Sequence, residues 1–340
     1  MKKLSIAIVG VGHIGSQHAK HAKNLGELVA VCDIKETRAK MIAEQYDCKA
    51  YFSLDELLAS EKPLDLVAIC TPNGLHADHS IKALKAGCNV LCEKPMATRV
   101  RDCERMIHTA EETNRRLFIV KQNRFNPPVK AVKKAIDEGK LGRILAVQVN
   151  CFWNRNREYY TGSDWRGTLK MDGGTLFTQY SHFIDLLYWF VGDVEEARTF
   201  TDNYLHQDIV EFEDTGVVAL KFTNGALGTI HFTINSYGRN MEGSVTLFGE
   251  KGTVKIGGQY LNILEYQSIE KYTIKGLEPG NPPNVYGKSI GSMSNHNKVY
   301  ENVIDVLMHG GSITTDLLDG LKTVQIIEKI YKAAEKGYEK

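Results

Sequence analysis

The stretch Gly10-Val11-Gly12-His13-Ile14-Gly15, GVGHIG in one-letter code, follows an apolar segment at residues 4–9 and leads into an amphipathic one at 14–25. A strand, a glycine turn and a helix in this order bind the pyrophosphate of a dinucleotide at the helix N-terminus. The first glycine permits the tight turn, the second lets the backbone approach the phosphates, and the third allows close helix–strand packing. The hexapeptide therefore predicts a nucleotide site that begins with Gly10, Gly12, His13, Ile14 and Gly15.

Asp33 indicates which nucleotide is bound. It ends the next predicted strand, residues 28–32, about 20 residues beyond the glycines, where an acidic side chain hydrogen-bonds the adenosine ribose diol. The same charge repels the 2′-phosphate of NADP, and no Arg or Lys directly replaces it. We therefore expect NAD as the cofactor, with Lys35 as the one nearby residue that softens this preference.

Length and composition indicate an ordinary two-domain protein. The 340 residues are 43% hydrophobic, and a net charge of +1 argues against a general nucleic-acid or membrane role. The seven cysteines form no CxxC pair, which predicts buried thiols in a reducing compartment and hence a cytoplasmic protein. The N-terminal MKKLSIAIVG is interpreted as the first strand, because its apolar part is too short for a signal peptide or a membrane span.

The first third of the chain alternates strand and helix patterns, which is typical of a doubly wound parallel sheet. The predicted strands are residues 4–9, 28–32, 64–70, 89–92 and 117–120. Ser53 with Glu56 forms a capping box, and Thr98 is expected to cap a helix that runs to about residue 115. We therefore predict an α/β protein with an N-terminal Rossmann domain at residues 1–122.

The pattern changes in the rest of the chain. A helix at 128–138 precedes a long strand at 144–152, and Asn224-Gly225 is a hairpin turn between strands at 217–222 and 227–234. A second hairpin joins 245–248 to 253–256. We therefore predict a C-terminal α+β domain, residues 123–340, built on a mainly antiparallel sheet and closed by helices at 298–308 and 316–336.

Catalytic residues of open α/β sheets lie beyond the carboxyl ends of the strands. Two such positions carry polar residues, namely Thr71-Pro72-Asn73 with His76 in the next turn, and Glu93-Lys94-Pro95. A partly desolvated lysine beside a cationic nicotinamide has a lowered pKa, which suits proton transfer from a sugar hydroxyl. The alternative for Lys94 is a surface lysine in a loop.

His76 and His79 lie one helical turn apart, at a spacing that two metal ligands can use. No carboxylate or cysteine partner is apparent near them in the sequence. We interpret the pair as part of an ordinary helix face and predict no metal site.

The motifs GVGHIG, TPNGLH and EKP together resemble the glucose–fructose oxidoreductase and inositol dehydrogenase (Gfo/Idh/MocA) family along the whole chain. The resemblance implies that Lys94 is catalytic, that a cis bond often precedes its proline, and that a histidine on the first long helix of the second domain assists. That histidine is His182, which shares a helix face with Asp185. Many members carry an aspartate four residues before it, but this chain has Thr178, whose hydroxyl can orient a substrate and cannot act as a general base.

The loop at 151–170, CFWNRNREYYTGSDWRGTLK, indicates an anionic, ring-bearing substrate. Guanidinium groups bind phosphate or carboxylate in a bidentate manner, and aromatic rings stack on a sugar or a base. The cations are Arg155, Arg157 and Arg166, and the aromatic residues are Trp153, Tyr159, Tyr160 and Trp165. The alternative is a solvated basic loop whose aromatic residues anchor it in the core.

EYY, WRGT and DGG in this region, followed by TQYSHFIDLL, are similar to one branch of the family, the UDP-N-acetylglucosaminuronate 3-dehydrogenases of bacterial surface-polysaccharide synthesis. KQNRFNPPV at 121–129 and SMSNHNKVYENV at 292–303 also resemble that branch. The resemblance implies two groups of contacts. For NAD these are the glycine motif, Asp33, Thr71, Pro72, Asn73, His76, Glu93, Lys94 and Gln122, and for the substrate they are Lys94, Arg124, Tyr160, Trp165, Arg166, Thr178, His182, Asn295 and His296.

The sequence thus predicts NAD-dependent oxidation of the 3-hydroxyl of a UDP-linked N-acetylated uronic acid. Lys94 and His182 would handle the hydroxyl proton, and the sequence does not separate base from orienting partner. Two alternatives stay open, a sugar or polyol dehydrogenase such as an inositol dehydrogenase and a non-catalytic NAD-binding regulator. The resemblance further implies a homo-oligomer, a dimer or a tetramer, with a small-molecule substrate and neither nucleic acid nor membrane as a partner.

Overall fold

A computed structural model describes residues 3–61, 63–286, 289–314 and 316–336. The chain folds into two compact units, the first of Met1–Lys121 with His296–Leu321, the second of Gln122–Asn295 with Lys322–Lys340. The first passage of the chain from one unit to the other, after Lys121, therefore lies one residue from the predicted boundary after residue 122. The contiguous C-terminal domain is corrected, however, because residues 296–321 belong to the first unit.

Strands and helices follow the chain in the order predicted, with additional elements. The strands are β1 (Ser5–Val9), β2 (Glu27–Cys32), β3 (Lys49–Tyr51), β4 (Leu66–Ile69), β5 (Asn89–Cys92), β6 (Leu117–Ile119), β7 (Ile144–Phe152), β8 (Val194–Asp202), β9 (Thr215–Phe222), β10 (Leu227–Thr233), β11 (Glu242–Gly249), β12 (Gly252–Gly257), β13 (Ile263–Ile269), β14 (Pro283–Tyr286) and β15 (Ser289–Met293). The α-helices are α1 (His13–Leu25), α2 (Glu36–Tyr46), α3 (Leu54–Ser60), α4 (His76–Lys85), α5 (Val100–Glu112), α6 (Pro127–Asp137), α7 (Arg157–Thr161), α8 (Thr175–Thr178), α9 (Ser181–Val191), α10 (His296–His309) and α11 (Leu317–Lys336).

The first unit contains a six-stranded parallel sheet in the order β3-β2-β1-β4-β5-β6. β1 and β4 are buried over nearly their whole length, as expected of parallel strands that read as continuous apolar runs. The strand order reverses between β1 and β4, which is where doubly wound sheets bind their ligands. The predicted Rossmann architecture is therefore confirmed.

The second unit contains a seven-stranded, mainly antiparallel sheet in the order β13-β12-β11-β7-β10-β9-β8. β7 pairs in parallel with β10 and antiparallel with β11, and the two predicted hairpins are β9–β10 and β11–β12. Alternate residues of β9 and β10 are buried, so one face of the sheet lies in the core. This sheet confirms the predicted α+β domain.

The N-termini of α3 and α5 test the two predicted helix caps. The Ser53 hydroxyl accepts a hydrogen bond from the Glu56 amide, which confirms the predicted cap of α3. The predicted cap at Thr98 is wrong, because α5 begins at Val100 and its N-cap, Arg99, makes no side-chain hydrogen bond.

Three findings concern the chain as a whole. All seven cysteines lie in the described part of the chain, where none forms a disulfide. No helix in that part is long and apolar enough to cross a membrane. Helix α10 belongs to the first unit because it packs on α1, and the Tyr300 hydroxyl lies 3.0 Å from Nδ1 of the buried His18.

Candidate active site

The three glycines of the turn differ in the space around them. Gly10 and Gly15 have no room for a side chain, whereas Gly12 leaves space for a ligand. Gly10 has φ +85°, and a Cβ there would lie 2.8 Å from the Cys70 carbonyl oxygen; a Cβ at Gly15 would lie 1.9 Å from the oxygen of Gly10. At Gly12, by contrast, the nearest heavy atom would be Nη1 of Arg38 at 3.7 Å. Gly12 is also the N-cap of α1 and offers no side-chain cap, so the first amides of this helix are available to a phosphate.

Asp33 lies at the end of β2, where the predicted ribose contact needs it. The carboxylate is 7% exposed and accepts hydrogen bonds from the amides of Val11 at 3.0 Å and Lys35 at 2.9 Å. Nη1 of Arg38 lies 3.5 Å from the same carboxylate. Arg38 was not among the predicted residues, although the sequence shows it as a cation five residues after Asp33, in the first turn of α2. The glycine turn, the uncapped helix and Asp33 fit NAD.

Replacing Asp33 with Ser is expected to lower the NAD/NADP ratio of kcat/KM about tenfold or more, because a charge-assisted bond to the ribose diol is lost while Arg38 remains to bind a 2′-phosphate. Steady-state kinetics with both cofactors measure the ratio. The double variant that also carries Arg38→Ala is the control and should lose the gain in NADP use. A ratio that stays within about threefold of the wild type in Asp33→Ser would show that Asp33 does not select the cofactor.

His76 links the two loops that carry the other predicted cofactor contacts. Its Nδ1 lies 2.7 Å from the carbonyl oxygen of Pro95, and its Nε2 lies 2.8 Å from that of Thr71. His79 Nδ1 lies 3.1 Å from the Thr71 hydroxyl. Both histidines therefore have partners in these loops, which agrees with the interpretation as a structural helix face. The Lys94–Pro95 peptide is cis, as the resemblance implied.

Both carboxylate oxygens of Glu93, the residue before Lys94, take part in hydrogen bonds. One oxygen, Oε1, lies 2.9 Å from Nε2 of His18 and 3.2 Å from Nε2 of His296. The other, Oε2, accepts the Lys94 amide at 3.0 Å. Burial alone would raise the pKa of Glu93, but the hydrogen bonds from the two histidines outweigh it and hold the pKa well below its usual value.

His18, Glu93 and His296 also have the spacing of metal ligands. Among the described residues they form the group of at least three such side chains whose donor atoms lie close enough to hold an ion, all within 4.8 Å of one another. Hydrogen bonds already account for their spacing. His296 was predicted to contact the substrate. Its Nε2 is instead engaged by Glu93, so the substrate contact stays a prediction.

In the second unit, the segment that carries Thr178 and His182 is divided between two helices. α8 ends at Thr178 and α9 begins at Ser181, so the two residues do not share a continuous helix. The break falls at Tyr180, the N-cap of α9, whose φ of −120° and ψ of 6° depart from the helical values. His182 lies in the first turn of α9, where its ring packs near the rings of Trp153 and Phe183 at centroid distances of 5.9 and 5.5 Å.

Asp185, on the same face of α9, binds Arg124 in a buried bidentate ion pair. The distances are 2.8 Å from Nε to Oδ2 and 2.7 Å from Nη2 to Oδ1, and the guanidinium lies over the Trp189 ring. The Arg124 guanidinium thus holds the short helical turn at Gln122–Phe125 against α9. Direct contact with the substrate stays a prediction for this residue.

Gln122 and Asn295 also make contacts within the second unit. Gln122 donates from Nε2 to the Ser292 hydroxyl at 2.9 Å, and its Oε1 is buried without a hydrogen-bond partner among the described residues. Asn295 donates to Oδ1 of Asn126 at 2.7 Å and accepts from Asn281 at 2.9 Å. Asn295 therefore links residues 126 and 281 through its side chain, whereas Oε1 of Gln122 remains able to accept a hydrogen bond from a ligand.

The three arginines of the 151–170 loop have different surroundings. Arg155 is 7% exposed, lies against the rings of Trp153 and Tyr159, and donates from Nε to Gln179 at 2.6 Å. Arg157 is exposed and pairs with Asp208 at the surface. The expectation that all three face an anionic ligand is corrected, because the first is a core residue and the second a solvated ion pair.

Arg166 is the arginine whose surroundings suit a ligand. Its guanidinium lies 4.2 Å from the centroid of the Tyr159 ring and 5.5 Å from that of Trp165, and Nε is buried without a hydrogen-bond partner in the described residues. Tyr160, by contrast, is 2% exposed and packs on Tyr159 and His206. Tyr160 is thus buried, although its hydroxyl has no hydrogen-bond partner among the described residues, and its substrate contact stays a prediction.

A doubly wound parallel sheet with this glycine turn and an acidic residue after its second strand defines a nucleotide-binding protein of the Rossmann class. Residues 4–121 match the model of the Gfo/Idh/MocA oxidoreductase family, NAD-binding Rossmann fold, and residues 129–255 match the GFO/IDH/MocA C-terminal domain. The chain belongs to the Gfo/Idh/MocA family and is an NAD-dependent dehydrogenase. The predicted family and cofactor are confirmed.

Two solved structures are similar over nearly the full length. The WlbA dehydrogenase of Bordetella pertussis, in complex with NADH and UDP-GlcNAcA, is 36% identical, with a TM-score of 0.87 over 99% of this chain and 98% of that one. The Chromobacterium violaceum WlbA dehydrogenase, in complex with the same two ligands, is also 36% identical, with a TM-score of 0.88 over 99% and 95%. A third relative, the myo-inositol 2-dehydrogenase of Thermotoga maritima, is 27% identical over 319 residues, which are 84% of this chain and 91% of that relative.

Proposed function

We propose that this protein oxidises the 3-hydroxyl of a UDP-linked N-acetylated hexuronic acid. The observation that carries the proposal is the 36% identity, over 99% of the chain, with two dehydrogenases whose structures contain NADH and UDP-GlcNAcA. Such a reaction belongs to the synthesis of bacterial surface polysaccharides. It would take place in the cytoplasm, where the buried thiols of this chain stay reduced.

Lys94 and His182 are the proposed acid–base residues of this reaction. NAD, when bound, supplies the hydride acceptor, and the alcohol carbon loses a hydride while its hydroxyl loses a proton. Lys94 follows β5 in the first unit and is proposed to stand nearest the reacting hydroxyl, with His182 at the start of α9 as base or orienting partner. The products are a keto sugar, NADH and a proton passed to solvent.

Arg166, Tyr159 and Trp165 support an anionic substrate. A uronate and a diphosphate both present oxygen pairs that a guanidinium binds with two parallel hydrogen bonds. The buried, unsatisfied Nε of Arg166 is a donor that such a ligand satisfies. The half-buried rings of Tyr159 and Trp165 lie 4.2 and 5.5 Å from the guanidinium and help to hold it in place.

The substrate assignment predicts that kcat/KM with NAD is about a hundredfold or more greater for UDP-N-acetylglucosaminuronate than for myo-inositol or glucose. NADH absorbance measures turnover, and substrate deuterated at C3 should pass its deuterium to the nicotinamide. Preference for a neutral sugar, or unlabelled NADH from the C3-deuterated substrate, would contradict the assignment.

A polyol dehydrogenase is the second candidate function, since the Thermotoga maritima myo-inositol 2-dehydrogenase aligns with 84% of the chain. The same assay distinguishes the two candidates. The homo-oligomer predicted from the family, a dimer or a tetramer, also remains a proposal, which sedimentation of the purified protein tests.

A further inference from the structure

Four side chains from distant parts of the sequence form one buried hydrogen-bonded group in the first unit. His18 lies on α1, Glu93 follows β5, and His296 and Tyr300 lie in the first two turns of α10. All four are buried, and Glu93 is 5% exposed. The rings of His18 and His296 meet edge to face at a centroid distance of 5.2 Å. We call this group the Glu93 cluster.

The proton positions in the Glu93 cluster follow from its donors and acceptors. The Tyr300 hydroxyl donates to Nδ1 of His18 at 3.0 Å, because burial raises the pKa of this tyrosine well above its usual value and keeps it protonated. Burial also lowers the pKa of His18, so its ring is neutral and carries its one proton on Nε2. His18 therefore donates to Glu93 through Nε2.

His296 completes the set by donating to the same carboxylate oxygen. Its Nε2 lies 3.2 Å from Oε1 of Glu93. A buried carboxylate with two imidazole donors stays ionised, as the lowered pKa of Glu93 indicates. The second oxygen is then available to the Lys94 amide, 3.0 Å away. Hydrogen bonds to an anion are about twice as strong as neutral ones, so this contact anchors the backbone of the lysine.

We propose that His18, His296 and Tyr300 are positioning residues that act through Glu93 to fix the backbone of Lys94. The helix that begins at the cofactor's glycine turn is thereby tied to the loop that carries the proposed proton acceptor. The inference rests on the proposed role of Lys94. It gives Glu93 and His296 a function that needs no direct contact with the substrate.

The test is Glu93→Gln, which keeps the size of the side chain and removes its charge. It is expected to lower kcat for UDP-N-acetylglucosaminuronate about tenfold or more, since the backbone of the lysine is no longer held in place. Hydrogen–deuterium exchange of peptides that overlap at Lys94 should show its amide exchanging about tenfold faster. The exchange measurement needs no substrate.

Glu61→Gln is the matched control. Glu61 is a second buried carboxylate of the first unit and accepts from Lys49 and Tyr51, so its loss measures the general cost of removing such a group. It should leave kcat and Lys94 exchange unchanged even where it lowers Tm. Equal effects of the two variants on kcat and on Lys94 exchange would overturn the proposal.

Tyr300→Phe is the milder variant and covers the case in which Glu93→Gln does not fold. Without the hydroxyl, the tautomer of His18 is no longer fixed, so kcat should fall about threefold to tenfold with Tm nearly unchanged. Unaltered kcat and unaltered Lys94 exchange in Tyr300→Phe would overturn the proposal. So would one tightly bound metal ion per chain in the purified protein that is absent from Glu93→Gln, since the three ligands would then serve the metal.

Failure of the proposal is distinguishable from failure of the proposed function. Normal turnover in Lys94→Ala refutes the role of the lysine whatever the Glu93 variants do. Loss of turnover in Lys94→Ala with normal turnover and normal Lys94 exchange in Glu93→Gln refutes the positioning role alone. If the wild type oxidises a different sugar, the same variants are measured with that sugar and the exchange readout is unaffected.

Discussion

Replacing Lys94 with Ala is expected to lower kcat about a hundredfold or more, because the reaction loses the group that takes the hydroxyl proton at a fixed position. Affinity for NAD should stay within about threefold, since the glycine turn and Asp33 are untouched. Kinetics with UDP-N-acetylglucosaminuronate and fluorescence titration with NADH measure the two quantities separately.

Lys82→Ala is the control for this variant. Lys82 lies on α4 of the same unit and pairs at the surface with Asp55, so its removal should leave kcat unchanged. His182→Ala should lower kcat less than Lys94→Ala does, because the lysine is proposed to stand nearer the hydroxyl. Near-normal turnover in Lys94→Ala would refute the acid–base assignment.

Replacing Arg166 with Ala is expected to raise KM for the UDP-uronate roughly tenfold to a hundredfold, with a smaller change in kcat. A charge-assisted hydrogen bond contributes about 1.5–3 kcal/mol, which corresponds to that range. The KM for NAD should not change, because Arg166 lies in the 151–170 loop of the second unit and is not among the predicted NAD contacts. Initial rates at varied UDP-uronate and saturating NAD provide the measurement.

Arg157→Ala is the matched control, since it removes the same group from the same loop. Arg157 is exposed and bound to Asp208, so its loss should alter KM by less than about twofold. If both variants bind the nucleotide sugar as well as the wild type does, the loop is a solvated surface feature. The polyol candidate would then be favoured.

Short-range patterns were sufficient for most of the fold. GVGHIG and Asp33 lie within 24 residues of one another, and both predict structure from local chain geometry and charge. The apolar runs of β1, β4 and β5 and the Asn224-Gly225 turn of β9–β10 were likewise found correctly. β3 was missed because a three-residue strand that begins with lysine carries almost no periodic signal.

Composition did not predict the different surroundings of residues of the same type in the 151–170 loop. Arg155, Arg157 and Arg166 are equivalent as letters, yet one is buried against aromatic rings, one is paired with Asp208 at the surface, and one keeps a buried donor. Tyr159 and Tyr160 differ in the same way. For Arg155, Arg157 and Tyr160 the difference depends on partners more than ten residues away, which are Gln179, Asp208 and His206.

By itself the sequence determined the NAD cofactor and the two sheets, because glycine spacing, hydrophobic periodicity and turn residues act over a few neighbouring positions, and its motifs carried the resemblance to the family. The surroundings of Lys94 were decided only by the tertiary structure. His18 and Tyr300 are 282 residues apart, and α10 returns to the first unit only after the chain has passed through all strands of the second sheet. Nothing local to Glu93 indicates that two distant imidazoles will share its oxygen, since that arrangement exists only once the helices have packed.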